Sequence, residues 1–161
     1  MSNTRSSAIM AIIKTGLIAG TLDISGAFLH FYIRTQKNPV IVLKYVASAV
    51  FGKTDAYSGD AMMPVWGLLF HYCVAFAWTI IFFLACSGMK ILLKNWVVSG
   101  LLYGIVVWAL MSFVIVPLTR APKIPFNPVQ ALIGASIIMV AIGLTVSFFA
   151  NRYYRLANGK H

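Results

Sequence analysis

No glutamate occurs anywhere in the chain, and aspartate appears only at Asp23, Asp55 and Asp60. Most acid-base mechanisms lack their parts on that count alone. The patterns of other chemistries are missing as well: there is no Gly-x-Ser-x-Gly elbow, no His-Glu-x-x-His, no phosphate-binding loop and no pair of carboxylates within one apolar run. An enzyme is not the expected reading, and neither a catalytic residue nor a resident cofactor or metal is expected. Cysteine is scarce too. Cys73 and Cys86 fall in one apolar run, and a helix would hold them about 20 Å apart, far beyond disulfide reach. Without a Cys-x-x-Cys pair a thiol oxidoreductase is disfavoured, and each cysteine reads as a small hydrophobe.

Charge is the third scarcity. Only 10% of the 161 residues are charged and 60% are apolar, against about 25% charged in soluble globular domains. Three apolar runs hold no charge at all: 65–86, 96–116 and 129–150, of 22, 21 and 22 residues. Each reaches the roughly 20 residues that cross a hydrocarbon core. A fourth run, 8–33, contains Lys14 and Asp23, so its usable span starts near Thr15. The expected fold class is all-α: a polytopic membrane four-helix bundle, one transmembrane domain over 1–161 with spans near 9–33, 65–86, 96–116 and 129–150. A signal peptide is the competing reading of the first run. The run is too long for that, and it ends on Phe31, Tyr32, Ile33 and Arg34, an aromatic and basic membrane edge.

The net charge of +10 comes from bases scattered through loops and tails. Nucleic-acid binding needs them gathered with aromatics on a wet surface, so nucleic acid is not an expected partner. Anionic lipid headgroups are, at about 1 kcal/mol per base near the surface; a homo-oligomer or a protein partner is compatible with the same composition. With the N-terminus inside, Arg5, Lys14, Lys90, Lys94, Arg152, Arg155 and Lys160 lie inside and Arg34, Lys37, Lys44, Lys53, Arg120 and Lys123 outside, seven against six. The outside bases are spread over longer segments, and short segments set orientation. Both termini are therefore expected on the cytoplasmic side.

The connection between the first two spans is not a plain loop. Asn38 and Pro39 open an apolar stretch that closes at Gly52, the usual punctuation of a helix. Over 39–51 this helix is too short to span and too apolar for water, so it should be interfacial or re-entrant. The other links, 87–95 and 117–128, are short and make consecutive spans antiparallel neighbours. Gly16 with Gly20 and Gly100 with Gly104 are small-xxx-small pairs near the starts of spans one and three; Ala131 with Ala135 and Gly143 with Ser147 give span four the same device. Pro64 and Pro128 open spans two and four, so the two halves look like a weak repeat of hairpins.

Asp23 lies near the middle of span one, where an Asp costs about 2.5–3.5 kcal/mol on insertion scales. Gly16, Ala19, Asp23, Gly26 and His30 recur at spacings of three and four and form one stripe that should face the bundle interior. His30 near the end of span one and His71 near the start of span two fall in the same half of the membrane, about 5 and 10 Å deep by helical rise. They are expected to share a site with Asp23. Asp55 and Asp60 in the linker could supply acidic partners to the histidines, and Arg120 could neutralise those acids.

The string Ala19-Gly20-Thr21-Leu22-Asp23, the stretch 42–52, and Gly67-Leu68-Leu69-Phe70-His71 with Ala75-Phe76 together resemble a group of small four-span bacterial inner-membrane proteins, distantly YagU-like. The resemblance covers roughly 16–118. It implies a fold and a bacterial inner membrane, and no reaction. Three functional readings follow. The first is a small channel, transporter component or proton relay centred on Asp23, His30 and His71 beneath the loop helix. The second is a structural or assembly protein in which the same residues lock helices together while it binds lipid or a larger partner. The third is a haem or redox protein ligated by the two histidines.

Overall fold

The computed structural model describes residues 2–158, and side chains over 7–156. Lys160 and the side chain of Arg5, both counted among the inside bases, lie outside the described residues. Among these residues four helices are long and apolar enough to cross a membrane: Ser7–Thr35, Met63–Gly88, Trp96–Leu118 and Pro128–Leu156. They are spans one to four. Outward faces carry Leu29, Leu84, Leu102, Leu132 and Val140, each about 60% exposed or more. A belt of this kind is at home only in lipid, so the chain is a multi-pass membrane protein.

Helix starts follow the expected grammar. Asn95 accepts hydrogen bonds from the Val97 and Val98 amides at 3.1 and 3.2 Å, and Asn127 accepts one from Gln130 at 3.1 Å, satisfying amides that have no carbonyl partner within the helix. Spans one and four run past the apolar segments that mark them. Beyond residue 150, Asn151 donates to the Leu93 carbonyl and Tyr154 to the Phe83 carbonyl, so side-chain bonds tie this extension to span two and to the link that follows it. Span three turns π-helical over Met111–Ile115. Pro117 accounts for it, because its ring has no amide to donate and crowds the Phe113 carbonyl.

Span one packs against spans two and four, and span three packs against span four. Tyr103 on span three reaches span two, donating to the Trp78 carbonyl and packing its ring, tilted, 4.6 Å from that of Phe82. Ala19, Phe82, Cys86, Ile142, Val146 and Ala150 form the core at the end that carries both termini. Cys73 is exposed, Cys86 is buried, and both are free thiols.

The two hairpins are not alike. Gly100 and Gly104 take the backbone of span four, at Gly143 and Met139. Gly16 and Gly20 instead take the rings of Phe76 and Tyr72. The shared sequence pattern marks two notches, and different neighbours fill them.

The loop helix is Val40–Phe51. The Asn38 side chain accepts from the Val40 amide at 3.0 Å, and Gly52 ends the helix with φ 86°, a conformation that favours glycine. Leu43, Ala47 and Ser48 are buried against span two. Gly67 permits the contact, since a Cβ there would run into the Leu43 carbonyl. Phe51 adds an aromatic anchor on Trp66 and Phe70, with centroids 6.1 and 5.9 Å away. From the far side the Arg120 amide donates to the Ala49 carbonyl at 3.1 Å. Burial pushes the Tyr45 and Tyr57 phenols up, and the nearby Tyr57 adds to the effect at Tyr45; both are neutral at physiological pH. Cysteines placed at Ile41 or Val46 in membranes should therefore react slowly with a water-soluble maleimide. One at the exposed Thr54 should react fast; equal labelling at all three sites would put the helix in water.

Candidate functional site

The glycine stripe of span one lies in the cleft between spans two and four, and the two neighbours divide it. Gly16, Gly20 and Asp23 face span two, whereas Gly26, tight against Ile137, and His30 face span four. Proximity of Gly20 to the Tyr72 ring and the Ala75 side chain brings the two helices close enough for their polar groups to meet.

They meet at Asp23 and His71. The Nδ1 atom of His71 lies 4.0 Å from Oδ2 of Asp23, and its Nε2 lies 2.9 Å from the Gly20 carbonyl oxygen. A carbonyl only accepts, so Nε2 carries the proton and donates it. In the neutral imidazole Nδ1 is then a lone-pair acceptor facing the carboxyl. At 4.0 Å the two are one small side-chain rotation, or one water, from a hydrogen bond. The side chains retain 21% exposure at Asp23 and 11% at His71, so neither is sealed off. Beside them Thr21 donates to the Leu17 carbonyl at 2.7 Å, which leaves Tyr72 as the donor in the 2.8 Å bond between the Tyr72 and Thr21 hydroxyls. That bond is a second polar tie between spans one and two.

His30 is not part of this pair. It stands two turns further along span one, about 10 Å, and its Nε2 is 2.7 Å from Oε1 of Gln130 on span four. The expected site shared by His30 and His71 is therefore two separate contacts, because the stripe faces a cleft with a different helix on each side. His71 bonds to span one and His30 to span four, so the two histidines do not converge on one place. Among the described residues no group of three His, Cys, Asp or Glu side chains could hold a metal ion.

Asp55, Asp60 and Arg120 are exposed, and His71 with Asp23 is the one acid–base pair within 4.0 Å among the described residues. Asp60 closes a local turn just before span two, its side chain accepting from the Met62 amide at 2.8 Å. Asp55 accepts through its backbone carbonyl from the Ser58 hydroxyl at 2.8 Å. Arg120 contributes its backbone amide to the loop helix. These residues tie the loops together and do not approach the histidines' ion-pairing range.

Gln130 and Tyr72 escaped the sequence reading. A signal for Gln130 was present: it is an amide one turn inside an apolar helix, where an unpaired polar group is costly. Tyr72 carried no signal, since tyrosines are common in spans and only the neighbour decides whether the hydroxyl is used. The chain matches no protein-family model, and no curated protein or solved structure shows significant similarity to it.

Proposed function

We propose that this multi-pass protein handles protons within a bacterial inner membrane, as a small relay or a component of a proton-coupled transporter, with Asp23 and His71 as the exchange pair. Support comes chiefly from the Gly20 carbonyl. By holding the His71 proton on Nε2 it aims the Nδ1 lone pair at the carboxyl. A proton on Asp23 Oδ2 passes to Nδ1 as the O–H bond breaks and the N–H bond forms, leaving a carboxylate beside an imidazolium. The bond to Gly20 survives in both states. Neither side chain is fully enclosed by the bundle, and with both termini on the cytoplasmic side in this reading, the loop-helix end that lies beyond the pair faces the other side of the membrane.

The structural reading stands second. It is favoured by the completeness of the polar bonding: every buried side-chain nitrogen and oxygen among the described residues has a partner, as expected of groups that lock helices together.

Vesicles that enclose a pH-sensitive dye separate the two readings. With an imposed membrane potential, wild-type protein should acidify the lumen, and Asp23→Asn should reduce the rate at least tenfold with its helical spectrum unchanged. Wild-type vesicles as tight as protein-free ones, or an Asp23→Asn variant as fast as wild type, would leave the structural reading.

A further inference from the structure

Two grooves follow the outward seam between spans one and four. One, of about 700 Å³, is walled by Met10, Leu17, Phe149 and Leu156, with Lys14 and Arg152 among its lining. The other, of about 490 Å³, continues the seam past Leu22, Gly26, Ile137 and Val140. No acidic side chain lines either groove. Asp23 is turned to His71 on span two, and Asp55 and Asp60 lie at the opposite end of the bundle. Lys14 and Arg152 are both exposed.

Position along the helix matches a membrane leaflet. From Lys14 to Arg34 is about 30 Å of helical rise, the thickness of the hydrocarbon core. If Arg34 marks one headgroup layer, Lys14 marks the other. From Lys14 to Gly26 is about 18 Å, slightly more than one leaflet. The seam therefore offers cations at headgroup level and an apolar track of acyl-chain length below them.

We propose that this seam binds one anionic phospholipid, its phosphate against Lys14 and Arg152 and an acyl chain laid along Leu17, Leu22 and Gly26. Arginine presents a fork of donors matched to phosphate oxygens, and lysine adds a point charge. A second copy of the chain is the poorer occupant: the end of the bundle that carries Lys14 and Arg152 has no acid to offer them, so a symmetric contact would set like charges together. Free phosphate would leave the apolar track unused.

Native mass spectrometry of the detergent-solubilised protein, with phosphatidylglycerol and phosphatidylcholine supplied in equal amounts, tests the site. Wild type should retain one phosphatidylglycerol in preference. Each lost base near the headgroups should weaken binding about fivefold, so Lys14→Gln with Arg152→Gln should reduce it by more than tenfold. The same double loss at Lys37 and Lys123, on the other end, should leave it unchanged. Leu17→Trp, which fills the track and keeps both bases, should also displace the lipid. Equal retention by the Lys14/Arg152 variant overturns the proposal, as does retention unaffected by Leu17→Trp. Competition by inorganic phosphate as strong as by the lipid would make the site a phosphate site. A dimer that dissociates in the same variants would hand the seam to a second copy.

Discussion

Gly143→Leu should unfold the contact between spans three and four and lower stability by about 3 kcal/mol, the upper part of the range for overpacking. A Cβ at this position would fall against the Gly100 carbonyl and 3.1 Å from the Gly104 Cα. Both obstacles are backbone, which cannot rotate away as a side chain can. The position also lies in the π-helical turn Met139–Leu144, whose extra residue per turn sets the local register of span four against span three. Ser147 donates to the Trp96 carbonyl at 2.7 Å one turn further on, and that bond goes with the contact. Gly88→Leu is the control, since nothing lies within 4 Å of a Cβ there. Unfolding in mixed micelles, followed by helical circular dichroism, measures both. A Gly143→Leu protein within about 0.5 kcal/mol of wild type would mean that the close approach is not needed.

The second large effect is a non-additive one. His71→Leu alone should cost about 1–2 kcal/mol, because Asp23 is left in apolar surroundings without a partner. Asp23→Leu alone should cost less, since His71 keeps its bond to the Gly20 carbonyl. The double variant should recover to within about 0.5 kcal/mol of wild type, because replacing both members of a largely buried polar pair by apolar groups removes the desolvation cost of both. Strictly additive losses would show that the two side chains do not interact. The same double variant carries no proton in the proposed relay, so stability and flux separate the pair's two roles.

Span number and type were legible in composition and run length, because a bilayer accepts only long apolar helices or closed barrels. The loop helix was legible from Asn38, Pro39 and Gly52, and the span starts from Asn and Pro, since caps and proline act through neighbouring backbone. Small-residue notches at Gly16, Gly20, Gly100 and Gly104 were visible too. Their occupants were not: two hold aromatic rings and two hold backbone. The sequence grouped Asp23 with both histidines and did not show that only His71 stays with it while His30 turns to Gln130, or that Gly67 seats the loop helix. In water, hydrophobic periodicity points each helix at its core. In lipid the surroundings are as apolar as the bundle interior, so periodicity no longer tells inside from outside. The rotation of each helix is then decided by close packing and by the few polar contacts, and both exist only once the helices have met.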